Sequence, residues 1–341
     1  MTTTKIALLS ALAAGALILS ACSGSDTTTT ESTSAPSAVE SASESADAVE
    51  AAGGASVVAT TTMLGDVTSE IVLCAGGNVE VLMPNGVDPH DFSASSDQIA
   101  SMISADLVVV NGLGLESGLT DSLANATSDG ANVFEVAPLL DPIEFGAGSH
   151  SEEGHSDEEG HDDHGSLDPH FWFDMNRMAT AAELIGAELT TATGDDAYTT
   201  CAQATATKIR AAEGEVRALL ESVPADQRIL VTDHEALGYL ADVYGYEIAG
   251  TVIPAGTTLA EPSSADLAAL VATIKAEGIT AIFSNTSSPT ALAEAVAAEL
   301  GTNIKVIPLY VESLGEPGSP AATYVDMMRT NAQLIADGLQ G

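Results

Sequence analysis

Three histidines stand apart from any run of charge: His90, His170 and His234. Two of them share a local sequence, Asp88-Pro89-His90 and Asp168-Pro169-His170, and the third directly follows Asp233. Neutral imidazoles joined by a carboxylate suit a borderline divalent cation, above all Zn2+ in tetrahedral coordination. Proline fixes the angle at which the chain enters each of the first two histidines. Asp88, Asp168 and Asp233 are placed to accept the ring N–H that faces away from a metal, which sets tautomer and orientation. Glu312 is the candidate fourth ligand. A single histidine at a strand end is more often a satisfied core or surface residue than a ligand. The repetition of Asp-Pro-His lifts this pair above that reading.

The other four histidines, His150, His155, His161 and His164, all fall in one acidic stretch, SHSEEGHSDEEGHDDHGSLD, at 149–168. Their spacings of 5, 6 and 3 residues are too irregular for one rigid site. They suit weak auxiliary capture or transfer of metal, the alternative being a solvated insertion with little effect. The whole chain has 341 residues, with 9 Lys+Arg against 49 Asp+Glu and a formal charge of −40. Such a balance excludes nucleic-acid binding, which needs basic surface to displace counterions, and excludes docking on anionic lipid through a basic patch. Small cations remain the natural charged partners, although an acidic surface also simply keeps an exported protein soluble. Hydrophobic residues make up 45% of the chain, enough for a sizeable core.

The elements that must position the candidates alternate from Ser56 onward. Strand-like runs at 56–61, 78–83, 106–111 and 132–136 are separated by helical patterns at 63–75, 95–104 and 115–127. Helices near 175–190 and 196–222 follow the acidic loop. Strands at 227–232, 246–253, 280–284 and 305–310 then alternate with helices at 235–243, 264–277, 289–300 and 321–339. Four strands per half predict an α/β fold of two parallel-sheet, Rossmann-like lobes, at 56–194 and 224–341, joined by a long rigid linker helix at 195–223. Ligands of open parallel sheets bind beyond the strands' carboxyl ends. His90, His170, His234 and Glu312 all follow strands, so they converge if the lobes face each other across a cleft.

The chain begins with an apolar run, Ile6 to Leu19, about 14 residues and too short for a comfortable membrane span. It ends in Leu19-Ser20-Ala21-Cys22, which resembles the lipobox of bacterial lipoproteins. The resemblance implies a signal peptide at 1–21, lipidation of Cys22, and an extracytoplasmic, membrane-anchored location. Residues 22–55 then read as a disordered tether with a root-mean-square span of roughly 30 Å. Two cysteines remain, Cys74 and Cys201, in a compartment that permits a disulfide. A bridge between them is expected, with two buried thiols as the alternative.

Three segments carry a wider resemblance: VDPHDF around His90, DPHFWFD around His170, and HEALGYLADVYG beginning at His234. They resemble the histidine motifs of metal-binding lipoproteins serving zinc and manganese ABC importers, the cluster A-I type of binding protein. The run from Tyr310 through Glu312 to Tyr324 resembles that family's carboxylate motif. The resemblance covers about Ser56 to Leu339, and the acidic His-rich loop resembles that of zinc-specific members. It implies a monomeric receptor, not an enzyme, that captures Zn2+ between its lobes and delivers it to a membrane permease, with Mn2+ or Fe2+ as the runner-up ion. Two departures stand out. Glu312 occupies a position where the family usually has Asp, and Ser284-Asn285 stands where many members have Glu; neutral Asn285 is not assigned to the metal. The competing class is a zinc hydrolase with Glu312 or Asp233 as general base. Against it, the chain has no H-E-x-x-H, no G-x-S-x-G and no phosphate-binding Gly loop. A third reading, a surface adhesin or passive metal buffer, would use the same site.

Overall fold

The computed structural model describes residues 53–146, 167–301 and 304–341. The signal segment, Cys22, the tether as far as residue 52, and His150, His155, His161 and His164 lie outside the described residues. Among the described residues no helix is long and apolar enough to cross a membrane.

Two four-stranded parallel sheets are built on one plan. In the first lobe β1 (Ser56–Ala59), β2 (Asn78–Val81), β3 (Leu107–Val110) and β4 (Val133–Glu135) lie in the order β2-β1-β3-β4. In the second, β5 (Ile229–Thr232), β6 (Glu247–Thr251), β7 (Ala281–Asn285) and β8 (Lys305–Leu309) lie in the order β6-β5-β7-β8. The central strands β3 and β7 are buried along their whole length, as expected where helices cover both faces. In each lobe the order reverses between the first and third strands, which opens a crevice at their carboxyl ends.

The crossover helices are α1 (Thr62–Cys74), α2 (Ser96–Ser104) and α3 (Thr120–Ser128) in the first lobe, and α6 (Gly238–Tyr244), α7 (Ser264–Glu277) and α8 (Ala291–Leu300) in the second. Helix α9 (Tyr324–Gln340) closes the chain. Sequence patterning starts several of these too early: residues 115–119 make a loop and a 3-10 turn before α3, 235–237 are irregular before α6, 289–290 precede α8 and 321–323 precede α9. Helices α2 and α7 start at Ser96 and Ser264, but the capping side chains are the preceding serines. Ser95 closes a capping box with Gln98, and Ser263 does so with Asp266.

The long helix expected between the lobes at 195–223 is present, and a second long helix lies against it. Helix α4 (Met175–Thr193) ends at Gly194 in the left-handed region, and α5 (Ala197–Glu221) runs back against it. Small residues let the two helices approach closely: a Cβ at Gly186 would fall 2.2 Å from the Ala202 methyl. Helix α5, about 37 Å long at 1.5 Å per residue, also packs on α1 and α9. As a result the inner faces of both sheets share one apolar core, running from Val57 and Ile71 through Ile185 and Ile209 to Phe283 and Ile335. The outer faces have separate cores, under α2 and α3 in one lobe and under α7 and α8 in the other. Cys74, at the end of α1, is bonded to Cys201 on α5.

Candidate metal centre

The structure brings His90, His170, His234 and Glu312 together, with one ligand atom from each lying within 4.8 Å of all the others. His90 is in the loop after β2, His170 precedes a 3-10 turn at Phe171–Phe173, His234 is two residues beyond β5, and Glu312 is three beyond β8. Each lobe contributes two. The Glu312 Oε1 atom is 2.8 Å from His90 Nε2, 3.2 Å from His234 Nε2 and 4.0 Å from His170 Nε2. All four residues are at most 2% exposed.

Those four atoms, the three Nε2 and Oε1, are buried without a well-directed hydrogen bond. Oε1 lies within ion-pair distance of two rings, but none of these contacts is aligned as a hydrogen bond, and buried polar atoms short of directed partners are costly and rarely gathered at one point. A cation at their centre satisfies them all. Three imidazole nitrogens and a carboxylate oxygen are a donor set that fits Zn2+ and is compatible with Mn2+.

The histidines are held from behind. Asp168 Oδ1 accepts from the backbone N–H of His170 at 2.8 Å and lies 2.7 Å from its Nδ1, so Nε2 is left facing the centre. The Asp88 carboxylate also accepts the backbone N–H of its histidine, at 2.9 Å, but its other oxygen takes the Thr258 hydroxyl of the opposite lobe rather than the His90 ring. Asp233 Oδ2 is 3.5 Å from His234 Nδ1, near but not aligned. Thus the repeated motif shapes both loops, and one copy of it also orients a ring.

Several further residues support the site. The Asn111 amide, just past β3, donates to the Pro169 carbonyl at 3.0 Å. Buried Glu116 accepts the Asn111 and Gly112 N–H groups and the Thr60 hydroxyl, so it braces the crevice without reaching the centre. Tyr239 donates its hydroxyl to the Asp168 carbonyl at 2.9 Å. Asn285 donates to Glu312 Oε2. Phe145 stands edge-on to His170 with ring centroids 6.4 Å apart, and its face is covered by Gly256, where any Cβ would enter the ring. Only a glycine lets the second lobe's loop close against that ring.

Burial holds the His170 imidazole below its ordinary pKa, despite the neighbouring Asp168, so it is neutral near pH 7. Burial acts in the same sense on His234, but the Glu312 carboxylate and Asp233 outweigh it and lift the ring to about 10. Burial alone would raise Glu312, whereas His234 and His90 hold it well below the usual carboxylate range. Without metal, the site therefore keeps a proton on His234 that an incoming ion must displace. Binding is expected to release about one proton at neutral pH, and affinity to rise about tenfold per unit between about pH 6 and 8. Calorimetry in buffers of different ionisation enthalpy measures that proton; finding none would contradict the protonated pair.

Comparison with known proteins gives a consistent picture. A family model described as the periplasmic zinc-uptake complex component A, ZnuA, matches residues 57–338. The zinc-binding protein TroA of Treponema pallidum is 28% identical over 299 residues, covering 85% of this chain and 90% of TroA. The manganese-binding lipoprotein MntA of Halalkalibacterium halodurans is 27% identical over 328 residues, 95% of each chain. Among solved structures, the periplasmic zinc-binding protein TroA superposes with a TM-score of 0.71 at 26% identity, covering 84% of this chain and 99% of that one. A Mn-bound periplasmic metal-binding protein from Candidatus Liberibacter asiaticus gives 0.68 at 25% identity, with the same coverage.

Proposed function

The chain belongs to the family of periplasmic zinc-uptake components, extracytoplasmic metal-binding proteins of ABC importers rather than enzymes, and from that premise we propose that its ion is Zn2+. The observation that carries this reading is the donor set of three buried imidazole nitrogens and one carboxylate oxygen without other partners. Nitrogen-rich, four-donor surroundings favour Zn2+, whereas Mn2+ prefers more oxygen and the affinity series places it lower. The relatives' names include both zinc and manganese and so do not choose between them. Competition between Zn2+ and Mn2+ at buffered free concentrations tests the reading. Zn2+ is expected to win, and preferential retention of Mn2+ at comparable free concentrations would reverse the assignment.

In this reading His90, His170, His234 and Glu312 are the ligands, with Asp88, Asp168 and Asp233 supporting them. Cys22 is the lipidated residue, and its lipid holds a monomeric receptor beside the permease that takes the ion. The loop histidines His150, His155, His161 and His164 gather metal ahead of the cleft. Glu144 and Leu167 pair as an antiparallel bridge, so the loop's ends already meet without it. Deleting 149–165 is therefore expected to leave the tight site at full affinity, and to slow uptake from dilute metal. Loss of tight binding in the deletion variant would place the site's integrity in the loop.

A further inference from the structure

The two oxygens of Glu312 are used differently. Oε1 faces the three imidazoles and has no directed hydrogen bond. Oε2 accepts from Asn285 Nδ2 at 2.5 Å. Asn285 is the last residue of β7 and is buried at 1% exposure; it pairs with Leu309, so it lies beside the segment that leads to Glu312. The amide cannot turn around freely, because the Ser287 N–H donates to Asn285 Oδ1 at 2.9 Å. That contact fixes which end is oxygen and commits the NH2 group to Glu312 Oε2 and, at 3.2 Å, to Ser288 Oγ.

The geometry points to Asn285 as a positioning residue that limits Glu312 to one donor oxygen and so selects a four-coordinate ion. This rests on the reading of the four residues as a Zn2+ site and extends it to the origin of the selectivity. A hydrogen bond to a buried carboxylate is charge-assisted and strong. Tied in this way, Glu312 keeps Oε1 toward the imidazoles and Oε2 toward Asn285, and presenting both oxygens to an ion requires turning the carboxylate against that hydrogen bond. Zn2+ is satisfied by three nitrogens and one oxygen, but a larger, oxygen-seeking ion such as Mn2+ is left short of donors. Asn285 also adds no charge; a carboxylate in its place would repel Glu312 and offer further oxygen ligands.

The test uses the full chain with Asn285→Ala and Asn285→Leu, the second keeping the side chain's bulk so that the fold survives if the smaller residue disturbs it. Zn2+ and Mn2+ affinities are measured by competition with a chromophoric chelator, and coordination is followed by the visible spectrum of added Co2+. The wild type is expected to give the intense bands of four-coordinate Co2+. In both variants the bands weaken as Oε2 joins the ion, and the preference for Zn2+ over Mn2+ falls by about tenfold, the lower end of what outer partners of metal ligands usually carry. An unchanged preference and an unchanged Co2+ spectrum, whether or not both affinities drop together, would overturn the proposal while leaving the site assignment intact. Wild-type protein that binds neither ion, or that binds equally well after His170→Ala, would instead bring down the site assignment and this inference with it.

Discussion

Replacing His170 with alanine is expected to weaken Zn2+ binding by about a hundredfold to a thousandfold while sparing the metal-free fold. Four ligands share an apparent binding free energy of about 10–16 kcal/mol in structural zinc sites, so one imidazole accounts for about 3–4 kcal/mol. The metal-free protein loses less. His170 is neutral and its Nε2 has no directed partner to forfeit; the ring's 2.7 Å contact with buried Asp168 is lost, but Asp168 Oδ1 still accepts the backbone N–H of residue 170. Glu312→Ala gives the opposite balance, because it removes the counter-charge of a buried, protonated His234. Breaking one side of a buried ion pair costs about 3–5 kcal/mol. Metal-free Glu312→Ala should therefore melt well below metal-free His170→Ala, although both lose tight binding. Equal melting temperatures in differential scanning calorimetry would show that the Glu312–His234 pair holds no charge without metal.

The difference between those two residues also marks what sequence can reveal. The histidines are legible because their signal is local: Asp-Pro-His occurs twice, and each histidine follows a strand. Glu312 is one of 49 acidic residues and stands out through its place just after the last strand and the resemblance of its surrounding segment. Glu116, equally buried and equally acidic, gives no such sign, since its partners Thr60 and Gly112 come together only when β1 and β3 pair. The same is true of Asn285. Reading it as too neutral to ligate a metal agrees with its position, but its contact with Glu312 depends on the β7–β8 register, which no local pattern encodes. The alternation of strands and helices made the two sheets visible. Sequence periodicity could not show that α4 and α5 lie side by side, because that depends on how closely Gly186 and Ala202 let two backbones approach.

Closure of the site is likewise a property of the assembled lobes. The Trp172 indole donates to the Val311 carbonyl, one residue from Glu312, and Tyr324 returns a hydrogen bond from the second lobe to the Trp172 carbonyl. Asn85 and Gly86, just before the first Asp-Pro-His, donate to Gly315 and Ser313, just after Glu312. The loops that carry His90, His170 and Glu312 are thus fastened to one another directly. These bonds, with the close approach of Gly256 to the Phe145 ring, tie the two lobes together around the centre.

Reducing the Cys74–Cys201 bridge should lower the melting temperature by about 8 °C and leave metal affinity unchanged. The two cysteines are 127 residues apart in sequence. Constraining so long a loop in the unfolded chain is worth about 5 kcal/mol in the chain-entropy model. For the roughly 270 described residues the unfolding entropy is about 0.6 kcal/mol per degree, which converts that figure into the stated shift. Helices α1 and α5 also pack on each other through the shared core, but the Lys208–Glu70 ion pair between them is partly exposed, a class of interaction worth at most about 1 kcal/mol. The bridge lies on the α1–α5 side of the first lobe, remote in the fold from the strand carboxyl ends that carry the ligands, so it acts on the stability of the scaffold and not on the donor set. Thermal melts of oxidised protein, reduced protein and a Cys74→Ser/Cys201→Ser variant, each with and without Zn2+, separate the two effects. Indistinguishable melts would show that packing of α5 against α1 already holds these helices, and a large change in affinity would mean that the linker helices set the geometry of the cleft.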